Sequence, residues 1–192
     1  EEAATAKRVS DFLVDLFKVS DPREARGNTI TAREILDQGS EKIARELGDQ
    51  PLVQARLMDT MGNVYRSLGL YASAAPLVER GLEIREKALG EKSLDAAQSL
   101  ISAARLCVDG GKFDEAVSFG RRAADIREKA LGADHVEVAW SLYWIGAALS
   151  MKRDLEGARP PLKRALDSFF ASNQPRVSGK IPTNLVAIFI PR

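Results

Sequence analysis

Apolar and small residues recur three and four positions apart along residues 58–82. They are Met58, Met61, Gly62 and Tyr65, then Tyr71, Ala74, Val78 and Leu82. That spacing sets each group on one face of a helix and predicts two amphipathic helices. Between them Ser67-Leu68-Gly69-Leu70 breaks the period, and Gly69 suits the left-handed residue that closes a helix. The pattern then starts again. Leu100, Ala103, Ala104 and Cys107 lead through Gly110-Gly111-Lys112 to Phe113, Ala116 and Ala123. A third round runs Leu142, Ile145, Gly146 and Leu149, then Leu155, Ala158, Ala165 and Leu166. There Lys152-Arg153-Asp154 replaces the glycine turn, so that bend is expected to be the least comfortable of the three.

The rounds share one register. Ile84–Gly90 returns unchanged as Ile126–Gly132, an offset of 42 residues that also relates Ala55, Ala97 and Ala139, and Gly48, Gly90 and Gly132. A fixed period of this size marks stacked supersecondary units and shifts the expected function from catalysis towards binding. Gly62, Ala74, Ala104, Ala116, Gly146 and Ala158 supply the small contacts at which paired helices approach closely. Helix starts are signalled by Thr31 with Glu34, by Asp134 with Glu137, and by Pro51 at a first helical position. The same offset makes Thr31–Leu47 the second helix of an earlier pair. Its partner is Ala3–Lys18, joined through the irregular stretch Val19–Asn28. Pro182–Phe189 reads as one more first helix, with Leu185 and Phe189 at the packing positions.

Composition narrows the picture. Among 192 residues, 28 Lys and Arg oppose 27 Asp and Glu, and a net charge of +1 gives no global field for nucleic acid or anionic lipid. No apolar run approaches the roughly 18 residues of a membrane span, so no direct membrane insertion is expected in this segment. Cys107 has no second cysteine to bond; it stands where Tyr65 stands one unit earlier and reads as a small buried hydrophobe. A lone thiol fits a reducing cytoplasm, while a tethered extracytoplasmic placement stays open. The start at Glu1, without initiator Met or signal pattern, suggests a segment of something larger. His135, the single histidine, has neither a nucleophile nor companion ligands in the pattern. No catalytic residue, metal site or cofactor is therefore expected. His135 reads as packing over a helix entry. The charged clusters in Ile84–Lys87 and Ile126–Lys129 read as solvated helix surface. Arg121-Arg122 and Arg164 lack flanking aromatics and make no nucleic-acid site.

The order large, x2, large, small, x2, aromatic, x3, Gly, x, aromatic, x2, Ala resembles that of tetratricopeptide repeats. The first unit carries it as Met58, Met61, Gly62, Tyr65, Gly69, Tyr71 and Ala74. The 42-residue length exceeds the common repeat of about 34 by about one turn per helix, which resembles the kinesin-light-chain type. The resemblance implies an all-α fold, a right-handed α-solenoid of helix-turn-helix TPR units, spanning 1–192 as a single domain. Its parts are a divergent helix pair at 1–47, repeats at 51–90, 93–132 and 135–172, and a terminal capping helix at 181–190. Val9–Phe17, and Ser20-Asp21-Pro22 with Ala25–Glu34, further resemble the segment that links a serine/threonine kinase domain to a C-terminal repeat array in large bacterial proteins. No kinase motif is present here, so a kinase domain would lie N-terminal to Glu1.

By the family's pattern, first helices line a concave groove. The inward residues are then Arg56, Asp59, Asn63 and Arg66; Gln98, Ile101, Ser102, Arg105 and Asp109; Trp140, Tyr143, Trp144 and Ala147; and Asn184 from the terminal helix. This implies a protein or peptide ligand held extended through its backbone. Acidic residues would lie near Arg56, Arg66 and Arg105, and an apolar anchor near Trp140 and Trp144. Two readings of Trp140, Tyr143 and Trp144 stand at this point, a binding cluster or a plug between helix pairs. Each arginine alone also reads as solvated surface. The competing function is self-assembly into a homo-oligomer through apolar ends, above all Leu185–Ile190.

Overall fold

The computed structural model describes residues 32–171, with Lys7 and Val14 besides. The described residues form seven α-helices and no strand. The chain divides into two units, Glu1–Gly90 and Glu91–Arg192, each taken by itself. The expected helices at Ala3–Lys18 and 181–190, the stretch Val19–Asn28, and Asn184 lie outside the described residues.

In the first unit α1 spans Ala32–Glu46, α2 Pro51–Ser67 and α3 Tyr71–Leu89. Helix α2 starts on Pro51, where a missing N–H costs nothing because the first turn has no carbonyl to receive it. It ends in a turn that satisfies its last carbonyls. Leu70 N–H donates to Tyr65 C=O (2.9 Å) and Gly69 N–H to Arg66 C=O (3.0 Å), with Gly69 at φ 74°. The chain then folds α3 back against α2. The crossing is tight at Gly62, where a methyl group would lie 2.7 Å from Val78 Cγ2. Helix α1 is tied to α2 by polar bonds. The Tyr65 hydroxyl donates to the Asp37 carboxylate (2.5 Å) and Gln54 Nε2 to Ile43 C=O (3.2 Å). Burial, then the bond to Asp37, pushes the Tyr65 phenol up to about 12.

The second unit holds α4 (Leu94–Asp109), α5 (Phe113–Leu131), α6 (Val136–Met151) and α7 (Leu155–Ala171). Helices α4 with α5 and α6 with α7 make two hairpins. Helix α5 also packs on α6, and α4 touches α6. The core between them is Val138, Leu142, Ile145, Leu162 and Phe169, with Ala116 and Ala158 at close approaches. At Gly146 an added methyl would lie 2.3 Å from Leu162 Cγ.

Both hairpin turns repeat the closure seen after α2. Lys112 N–H donates to Cys107 C=O (2.8 Å), and Asp154 N–H donates to Leu149 C=O (2.9 Å). Gly111 takes φ 77° in the first and Arg153 takes φ 72° in the second. Among the described residues Arg153 is the one non-glycine at positive φ, and a Cβ in that conformation costs about 1–2 kcal/mol.

One helix start differs from expectation. Helix α6 begins at Val136, so the capping position falls to His135, whose Nδ1 accepts from Glu137 N–H (3.2 Å). Asp134 is not the cap, because the helix begins one residue too late for it. The Glu137 carboxylate, expected to complete that cap, turns to Arg127 instead.

Candidate functional site

The expected ligand-facing residues of the first unit lie along α2, and they are not equivalent. Arg56 is exposed, while Asn63 and Arg66 are half-buried. Asp59 is 8% exposed, and its carboxylate pairs with the Arg85 guanidinium of α3. It is therefore part of the hairpin interior rather than a displayed groove residue, because Arg85 reaches it across the helix pair. Asn63 Nδ2 donates to Asp59 C=O (2.9 Å). A carbonyl can only accept, so one N–H of the amide is committed inward, and Oδ1 and the second N–H remain.

In the second unit Gln98 and Arg105 stand on α4, and Trp140, Tyr143 and Trp144 on α6. Ile101 and Ser102 are buried, Asp109 is exposed and Ala147 is half-buried. The aromatic residues form one run. Trp140 meets Phe169 of α7 edge-on with centroids 4.9 Å apart and Tyr143 at 5.8 Å; Tyr143 meets Trp144 at 5.1 Å. The Arg105 guanidinium lies 5.3 Å from the Trp144 ring centre. That distance allows a cation–π contact linking α4 to α6. Tyr143 is buried, so it fills the helix contact, whereas Trp140 and Trp144 keep part of their rings accessible.

Sequence reasoning missed the residues that hold this face from behind. Arg127, expected on solvated surface, is 3% exposed. It donates to Gln98 Oε1 (2.7 Å), Glu137 C=O (3.0 Å) and Ser141 Oγ (3.0 Å), and pairs with the Glu137 carboxylate (2.8 Å). Burial lowers the Arg127 pKa, partly opposed by Glu137, and a guanidinium stays charged even so. Arg85, at 7% exposure, is likewise interior. The 42-residue register carried the signal. Positions 85, 127 and 169 are equivalent; Arg85 reaches position 59, whereas Arg127 and Phe169 reach 98 and 140, the equivalents of position 56. Their occupants pair in kind: Arg85 with Asp59, Arg127 with Gln98, Phe169 with Trp140.

Cys107 is buried, as its register position implied, with Sγ 3.8 Å from Glu115 Oε2. Among the described residues no helix is long and apolar enough to cross a membrane.

Helix pairs in a strict register, closed by the same turn, define an all-α helical-repeat solenoid. A family model described as "Tetratricopeptide repeat" matches residues 53–129 and 95–169, together more than half of the chain, and the chain belongs to that family. Comparison with curated proteins returned no match. Among solved structures, BtubC (BKLC) from P. vanneervenii is similar, with TM-score 0.69 and 17% identity over 97% of this chain and 78% of that one. A kinesin-light-chain-type protein of Podosopora anserina with nearly identical TPR-like repeats gives TM-score 0.65 and 16% identity, over 94% of this chain and 91% of that one. A variant of it gives 0.64 and 17%, over 94% of each chain. Identities this low show a shared fold. Proteins of this fold generally act as non-catalytic scaffolds for protein–protein interaction.

Proposed function

We propose that the chain is a non-catalytic binding module that takes an extended peptide or a segment of a partner protein on its first-helix faces. The observation that carries the reading is the Arg105–Trp144 stack beside the half-accessible Trp140. It offers a flat cation next to rigid aromatic area whose rotamers are already fixed by packing, so little side-chain entropy is lost on binding. The ligand class it fits is a carboxylate flanking an apolar side chain. In the first unit Arg56 and Arg66 bring cations without an aromatic anchor, and Asn63 brings a neutral amide. In this reading 1–192 acts as a single domain. The resemblance of its first 34 residues supports a place as the scaffold or regulatory part of a bacterial kinase-type protein, which the full reading frame tests.

The deciding measurement is a pull-down with the intact chain against a Trp140→Ala/Trp144→Ala variant, read by mass spectrometry. Partners specific to the wild type are expected. Partners retained equally by a folded double variant overturn the reading. A second reading, self-assembly, is favoured by Phe170, which is 69% exposed near the end of α7. Light scattering that finds a monodisperse monomer removes it.

A further inference from the structure

We propose that Arg127 is a positioning residue that fixes Gln98 as a hydrogen-bond donor towards the bound peptide. This point of the face then reads a ligand carbonyl oxygen and not a ligand N–H. The inference rests on the peptide-binding reading and adds the polarity of one contact.

A guanidinium has donors and no acceptor. Whichever end of the Gln98 amide faces Arg127 must therefore be its oxygen, since the NH2 group would set donor against donor. The 2.7 Å bond from Arg127 Nη2 to Gln98 Oε1 meets this requirement. The exposed Gln98 is left with its Nε2, which has no partner among the described residues. Arg127 cannot swing away to release it. It is held by the Glu137 carboxylate, Glu137 C=O and Ser141 Oγ, and only 3% of it is exposed. A charged donor on the oxygen also polarises the amide and strengthens its N–H groups as donors. Gln98 occupies the register position of Trp140, whose ring is braced in turn by Phe169. The residue at this position is thus oriented from behind in both hairpins of the unit.

The probe is a peptide enriched on the intact chain from a random phage-displayed library, with affinity read by fluorescence anisotropy. Gln98→Glu keeps an acceptor for Arg127 but turns a second oxygen outward, whereas Gln98→Met deletes the polar group. The expected order is wild type tightest, Gln98→Met several-fold weaker, and Gln98→Glu weaker still by about tenfold, with each variant still unfolding cooperatively well above the assay temperature. The Gln98→Glu loss persists in high salt, where long-range repulsion is screened. Arg127→Lys, which also only donates, stays nearer the wild type than Arg127→Met.

Gln98→Glu binding as tightly as the wild type, while Trp140→Ala weakens binding, overturns the donor assignment and leaves the binding face standing. If neither substitution changes the affinity, the peptide sits elsewhere and both ideas fail. A library that yields no peptide overturns the binding reading and this contact with it.

Discussion

The α2–α3 hairpin and the α6–α7 hairpin are built on one register and one turn, yet they are filled with opposite chemistry. In the first, Asp59 of α2 is spent on Arg85 of α3, and the exposed Arg56 is left on the face. In the other, the same positions hold Tyr143, Phe169 and Trp140, and the contact is aromatic throughout. The lesson is that the residue shown at a first-helix position depends on what the second helix holds behind it. An ion pair placed inside a helix pair offers little net stability, because desolvation offsets the attraction. It is costly to break, however, and it fixes which groups point out.

The largest expected effect comes from breaking that pair on one side. Arg85→Leu removes the guanidinium from the Asp59 carboxylate, which is 8% exposed, and should cost about 3–5 kcal/mol by urea denaturation. Asp59→Leu/Arg85→Leu should recover most of it, making the polar hairpin resemble the apolar one. A double variant no more stable than the single one would refute the equivalence.

Next is Gly146→Ala in the aromatic hairpin. The new methyl would meet Leu162 Cγ at 2.3 Å, and overpacking of this kind costs about 1–3 kcal/mol. The equivalent Ala104 is already alanine and fully buried, so the middle hairpin tolerates there what its neighbour does not. Equal stability of Gly146→Ala and wild type would show that the two crossings are equally wide.

A smaller change, of opposite sign, is expected at the turn of the same hairpin. Arg153 at φ 72° sits where Gly69 and Gly111 sit elsewhere, so Arg153→Gly should stabilise by up to about 1 kcal/mol, seen as a raised thermal midpoint.

The last prediction concerns pH and separates the hairpins again. The Tyr65 phenol is raised to about 12 in the folded chain from an ordinary value near 10. The neutral form is thus favoured by folding. Its contribution is whole below pH 10 and disappears as pH rises through 12. Tyr65→Phe should flatten that alkaline loss in a denaturation series. Positions 107 and 149, the register equivalents, hold Cys and Leu and carry no phenol to titrate.

Much of the fold was legible in the sequence because it rests on periodicity and on turn chemistry. Gly69, Gly111 and Arg153 mark the three turns, and Gly62 and Gly146 the crossings, from spacing alone. The supports of the candidate site were less legible. Arg85 and Arg127 sit among Glu and Lys on second helices, and helical spacing alone places such residues in water. Whether a long cation turns inward depends on a partner 26 or 29 residues away in sequence. The register aligns those positions but does not say that they touch. The cap of α6 failed for a local reason. Asp134 and Glu137 have the right spacing, but Arg127 draws the Glu137 carboxylate away and His135 takes the place.

Cys107, the only thiol of the chain, lies buried in α4 under the turn to α5. A buried sulfur reacts with an alkylating reagent only while the helix around it is open. Its labelling rate, followed by mass, therefore clocks how often the middle hairpin breathes. Slower labelling with a peptide bound would report, without any added probe, that occupancy of the face tightens the helices behind it.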